Sequence, residues 1–130
     1  MFLSQGIDIV ENRRIEILIS KYGDVFKKKI LSKDEIIDID KIISHKKKIQ
    51  KISGRFAAKE ATVKAIGTGL RMGLKFTDIE ITYDKLGKPE LLLSDLITKN
   101  FLQSKQKISS NVSISNEENY TVAIVTFFSL

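Results

Sequence analysis

Near the start of the chain, Ile7 and Ile9 stand on one side while Gly6, Asp8 and Val10 stand on the other. This is the period of a strand with one buried face. The period then lengthens: Ile15, Leu18, Ile19 and Tyr22 share one stripe of a helix predicted over about 13–22, with Asn12 as its cap. Ser32 followed by Glu35 is a capping box, and it predicts a second helix that buries Ile36, Ile39 and Ile43. A third helix is expected from near Ser44 to Ile66, with room to bend at Gly54. Its last part is rich in alanine (Ala57, Ala58, Ala61, Ala65), and Gly67 and Gly69 end it.

Beyond Gly73 the period returns to two. Ile79, Ile81 and Tyr83 alternate with Glu80 and Thr82, Asp84 to Pro89 reads as a turn, and Glu90 to Leu93 returns as a second strand. A short helix over about 95–104 precedes two final strands, near Asn111–Ser115 and Tyr120–Phe128. Helices cluster early and strands late, and the opening strand joins the sheet. The expected architecture is α+β, an antiparallel sheet packed with helices in a single domain over residues 1–130.

Composition narrows the chemistry. The chain has no cysteine, which excludes a disulfide scaffold, a thiolate nucleophile and sulfur-built metal sites. Its single histidine, His45, excludes a site needing two imidazoles. No apolar run approaches the roughly 20 residues of a membrane helix, and the opening residues lack a signal-peptide pattern. A cytoplasmic protein without membrane contact is the expectation.

The net charge of +6 lies entirely in the first 70 residues, which points to an anionic partner. Most basic residues are lysines, and the runs at 27–29 and 46–48 fit solvated surface. The four arginines are more informative because of their bidentate geometry. An RNA-binding module is the rival reading of this charge. However, the only aromatics in the basic half after the opening strand are Tyr22, Phe26 and Phe56, which make no stacking platform, so no nucleic-acid partner is expected.

Two places invite chemistry. Asp8 is a carboxylate within an otherwise apolar strand; it either faces solvent or serves a site. Glu60 and Lys64 are four apart on one helix and share a face, as a surface ion pair or as a catalytic pair. The glycines at 67, 69 and 73 follow a helix rather than open one, so they form neither a Walker loop nor a dinucleotide fingerprint. Any phosphate held there needs lysine, arginine or a metal.

Several segments taken in order resemble one family: Gly6-Ile7-Asp8-Ile9-Val10-Glu11, Gly54-Arg55-Phe56-Ala57-Ala58-Lys59-Glu60-Ala61, Lys64-Ala65-Ile66-Gly67-Thr68-Gly69, Phe76-Thr77-Asp78-Ile79-Glu80-Ile81, Gly87-Lys88-Pro89 and Val112-Ser113-Ile114-Ser115. They are similar to the holo-[acyl-carrier-protein] synthase family, the short bacterial class of 4′-phosphopantetheinyl transferases. The resemblance covers nearly the whole chain and implies the fold of that family. It also implies transfer of the phosphopantetheine arm of coenzyme A to a serine of apo-acyl carrier protein for fatty acid biosynthesis, with magnesium and a homotrimer whose sites lie between subunits.

By position, the resemblance implies Asp8 and Glu60 as magnesium ligands, and Lys64 as the group that stabilises or protonates the departing bisphosphate. It implies Arg55, Lys59, Lys64, Gly67, Thr68, Gly87, Lys88, Pro89 and Asn116 as the coenzyme A contacts. Arg14, Leu18, Lys21, Phe26 and Lys28 would meet the acidic carrier protein. The family usually has histidine where this chain has Asn116, which neither carries positive charge nor accepts a proton near neutrality. The base therefore falls to Glu60 or to water at the metal, and both remain open. A homologue that binds carrier protein without transfer is the third reading that Asn116 permits.

Overall fold

A computed structural model describes residues 1–67, 69–70, 73–100, 102 and 107–129. Strand β1 (Phe2–Glu11) leads into four helices, α1 (Asn12–Tyr22), α2 (Asp24–Ile30), α3 (Lys33–Asp40) and α4 (His45–Ile66). A 3-10 turn at Phe76–Asp78 then opens the hairpin of β2 (Ile79–Tyr83) and β3 (Pro89–Leu93). Helix α5 (Asp95–Asn100) and strands β4 (Ile108–Asn116) and β5 (Tyr120–Ser129) complete the chain. The expected helix over 95–104 is thus shorter, and residues 101 and 103–106 lie outside the described residues.

The strands form two antiparallel sheets rather than one: β1-β5-β4, and the separate pair β2-β3. Helix α4 lies across the larger sheet. Its inner side is alanine, with Ala57, Ala58 and Ala61 fully buried against Val10, Ala123, Val125 and Phe127 of the core cluster. Short side chains let the helix backbone approach the sheet closely. The approach is tightest at Gly6, where an added Cβ would sit 1.9 Å from the carbonyl oxygen of Ala61. Gly67 ends α4 in the left-handed region at φ 89° and donates its N–H to Val63, as a C-capping glycine does.

The structure settles what the sequence pattern left open and corrects the expectations for Asn12 and Ile43. On β1 the Gly6 and Val10 side packs inward and Asp8 is half-buried there, whereas Ile7 and Ile9 are 58% and 64% exposed. The β1–β5 part of the larger sheet's outer face is consequently aliphatic, with Ile7 paired with Ile124 and Ile9 with Val122, while β4 adds Asn111, Ser113 and Ser115. Asn12 is the first helical residue and not a cap; its amide donates to the carbonyls of Glu117 and Glu118, tying α1 to the β4–β5 hairpin. The lysine run at 27–29 belongs to a helix of its own, α2, separated from α1 by Gly23 at φ 53°. Ser32 and Glu35 do form the capping box, but α3 ends at Asp40, leaving Ile43 99% exposed.

Candidate active site

Asp8 and Glu60 arrive from β1 and α4, and the close packing at Gly6 brings them to one place. Lys64, one turn after Glu60, does not pair with it. Its ammonium donates to Asp8 Oδ1 and to the Ile7 carbonyl, each at 3.0 Å. Burial raises the Glu60 pKa from its ordinary value, and the negative charge of Asp8 raises it further. The positive charges of Lys64 and Arg14 pull the other way. A carboxylate whose charge is disfavoured by burial and by a neighbouring carboxylate, with lysine and arginine alongside, marks a place suited to phosphate chemistry.

Beside Glu60 runs an open groove of about 520 Å³. Arg14 and Leu18 of α1, Phe26 and Lys29 of α2, and Phe56 and Phe76 line much of it, so it is an apolar trough with a basic rim. Arg14, Leu18 and Phe26 therefore stand together with Glu60. Lys21 and Lys28 are exposed on the same two helices but outside the trough, and Lys21 lies over the Tyr22 ring at 5.3 Å. Lys29, of the lysine run expected to meet the carrier protein, lines the trough, as do Tyr22, Val25 and Leu70, which the sequence did not single out for it.

Arg55 and Lys59 face the interior, which does not suit them as phosphate ligands. Lys59 is fully buried; it donates to the carboxylate of Glu35 and to the Ile30 carbonyl at 2.6 Å. Arg55, 2% exposed, donates to the Ile81 carbonyl and lies 3.4 Å from Glu35 and 3.6 Å from Asp38. Burial lowers the Lys59 pKa, against the raising effect of Glu35. Glu35 also accepts from the backbone N–H groups of Ser32 and Ile81 at 2.9 and 3.0 Å. The carboxylate first read as a cap is thus the hub of a buried network. Removing one member of such a network costs about 3–5 kcal/mol, because the others keep their charges without a partner.

The remaining contacts expected from the resemblance lie elsewhere on the chain. Gly87 and Lys88 are exposed in the β2–β3 turn, where Gly87 has φ 85°. Lys88 and Pro89 border a cleft against β4, not the trough beside Glu60. Gly67 is exposed at the end of α4, and Thr68 lies outside the described residues. Asn116 donates to Thr121 Oγ1 at 2.6 Å and to the Gln50 carbonyl at 3.2 Å, and Thr121 donates onward to Asn12. His45 is exposed and pairs with Glu16 at 3.1 Å, away from the carboxylates.

Among the described residues no group of three or more His, Cys, Asp or Glu side chains converges. The pair Asp8 and Glu60 still fits a hard cation such as Mg²⁺, which takes one or two carboxylates and fills its octahedron with water and phosphate oxygens.

A β1 carboxylate thus meets a lysine that stands one turn beyond a glutamate on a long alanine-rich helix. The family model for the 4′-phosphopantetheinyl transferase superfamily matches residues 4–125, and the chain belongs to that superfamily. Within it, the chain is 46% identical over 126 residues to the holo-[acyl-carrier-protein] synthase of Pelagibacter ubique, covering 95% of this chain and 94% of that protein. The crystal structure of holo-[acyl-carrier-protein] synthase from Neisseria meningitidis superposes with a TM-score of 0.87 at 33% identity, over 99% of this chain and 100% of that one. The Bacillus anthracis enzyme, solved in complex with CoA (3′,5′-ADP), gives 0.81 at 34% identity, over 100% and 99% of the two chains.

Proposed function

We propose that the chain transfers the 4′-phosphopantetheine arm of coenzyme A to a serine of apo-acyl carrier protein. The products are holo-acyl carrier protein and adenosine 3′,5′-bisphosphate. The observation that carries this reading is the meeting of Asp8, Glu60 and Lys64 at the end of a trough with a basic rim. The similarity to holo-[acyl-carrier-protein] synthases over nearly the whole chain supports it.

Asp8 and Glu60 would hold Mg²⁺, which when bound withdraws charge from the pyrophosphate of coenzyme A. Lys64 is held by Asp8 and the Ile7 carbonyl through two of its three N–H donors, and the third suits an oxygen of the departing bisphosphate. The serine proton would go to Glu60 or to water at the metal. Arg14 would steer the acidic carrier protein onto α1 and α2, where Leu18 and Phe26 offer apolar contact.

The working form is proposed to be a homotrimer. The aliphatic patch of Ile7, Ile9, Val122 and Ile124 on the β1–β5 part of the sheet's outer face supports this, because contiguous exposed apolar patches mark interaction sites. The β2–β3 turn and Asn116 stand apart from the Glu60 trough within one chain. A neighbouring copy would supply them to the coenzyme A site, with the active sites between subunits. The decisive assay incubates the protein with Mg²⁺, coenzyme A and apo-acyl carrier protein. A gain of roughly 340 Da on the carrier is expected from metal-assisted transfer of the arm, and an unchanged mass refutes the reading.

A further inference from the structure

Glu35 lies on α3, not on the elements that carry Asp8 and Glu60, yet its carboxylate organises the helix that carries Glu60. One oxygen faces Lys59 and the N–H of Ser32; the other faces Arg55 and the N–H of Ile81. Lys59 also donates to the Ile30 carbonyl in the last turn of α2, whose Phe26 and Lys29 form a wall of the trough. One network thus spans α2, α3, α4 and β2.

The packing of α4 explains what such a network does. The face of α4 that lies on the sheet is alanine, which allows close approach, and its larger buried side chains, Ile52, Phe56 and Val63, make apolar contacts without direction. Directional bonds on its two flanks refine the rotation of the helix about its axis: Lys64 onto Asp8 and Ile7, and Lys59 onto Glu35 and Ile30. Glu60 follows Lys59 by one residue, about 100° around the helix, and shares the Lys64 side. A buried ion pair is often no more stabilising than apolar residues of the same volume, but its bonds are directional. Apolar replacement would fill the space without fixing the rotation.

We propose that Glu35 is a positioning residue for the transfer reaction. By holding Lys59 and Arg55 it fixes the rotation of α4, and so aims Glu60 toward Asp8 and keeps it in step with the α2 wall. The inference rests on the reading of Asp8 and Glu60 as the ligands of a divalent cation.

The test removes both charges together, in a Glu35→Gln, Lys59→Met double variant. Mn²⁺ is titrated into protein with coenzyme A, and free metal is followed by its EPR signal against coenzyme A alone. Thermal unfolding and turnover are recorded in parallel. The expected result is a folded protein that binds Mn²⁺ about 10–100-fold more weakly, the usual effect of losing a group that orients a metal ligand, with turnover reduced alongside. A folded double variant with wild-type Mn²⁺ affinity overturns the inference. If the double variant does not fold, Glu35→Gln alone is titrated below its melting temperature. The same weakening supports the inference, and wild-type affinity overturns it. Glu60→Gln separates the two levels: wild-type Mn²⁺ affinity in that variant removes the cation reading, and the positioning role with it.

Discussion

Replacing Gly6 with alanine adds one methyl group at the tightest contact between β1 and α4. The new Cβ would lie 1.9 Å from the Ala61 carbonyl oxygen and 2.8 Å from the Ala65 nitrogen. Both obstacles are backbone, so no side chain can rotate away. Restoring ordinary van der Waals contact at 3.4 Å requires the strand and helix to separate by about 1.5 Å. Asp8 is two residues along and on the same face of β1, so it moves with Gly6 and away from Glu60 and Lys64. The 3.0 Å bond from Lys64 to Asp8 would then exceed hydrogen-bonding distance. Overpacking of this kind costs about 3 kcal/mol, and a misplacement of about 1 Å in a catalytic group costs about 10²-fold in rate. Thermal melting should show a Tm lower by about 10 °C, and initial rates of carrier-protein modification should fall by about two orders of magnitude. A Gly6→Ala protein with wild-type rate and wild-type Tm would refute the claim that this contact sets the spacing of the carboxylates.

Asp8→Asn and Glu60→Gln should each lower transfer by at least about 10²-fold while leaving the protein folded, as measured by mass-shift rates and circular dichroism. Because the Glu60 pKa is raised in the folded state, the folded protein retains a proton there that the unfolded chain has released. This group's contribution to stability therefore falls as pH rises through the window from about 4.5 to its raised value. In metal-free buffer above that window, Glu60→Gln should melt higher than wild type; a lower Tm there would contradict the shift. Arg14→Glu should raise KM for the carrier protein at least tenfold with little change in KM for coenzyme A, and the defect should change with salt. Ile9→Lys on the outer sheet face should leave helix content unchanged but lower the sedimenting mass toward that of one chain. An unchanged mass would argue against assembly through that face.

Much of the architecture was legible because periodicity and capping are local. The α4 span, the Ser32–Glu35 box and the β2–β3 hairpin follow from residues within a turn or two of each other. What escaped the reading depends on distant partners. Asn12 has a capping residue's chemistry, but the hairpin carbonyls at Glu117 and Glu118 take its amide. Ile7 and Ile9 look like core, and their exposure makes sense only beside the aliphatic face they share with Val122 and Ile124. Lys59 looks like a surface cation until Glu35 and Ile30, more than 20 residues earlier, are folded against it. The spacing of Glu60 and Lys64 showed a shared helix face. It did not show that Lys64 would turn to Asp8, since that depends on how closely β1 approaches α4.

The account stands on Asp8 and Glu60 gripping one divalent ion together with the diphosphate of coenzyme A. Crystals grown with Mn²⁺ and coenzyme A, measured at a wavelength where manganese scatters anomalously, address this directly. The expected result is a single strong peak about 2.1 Å from an oxygen of each carboxylate and of the diphosphate. Bound coenzyme A with the peak elsewhere, or touching neither carboxylate, would contradict it.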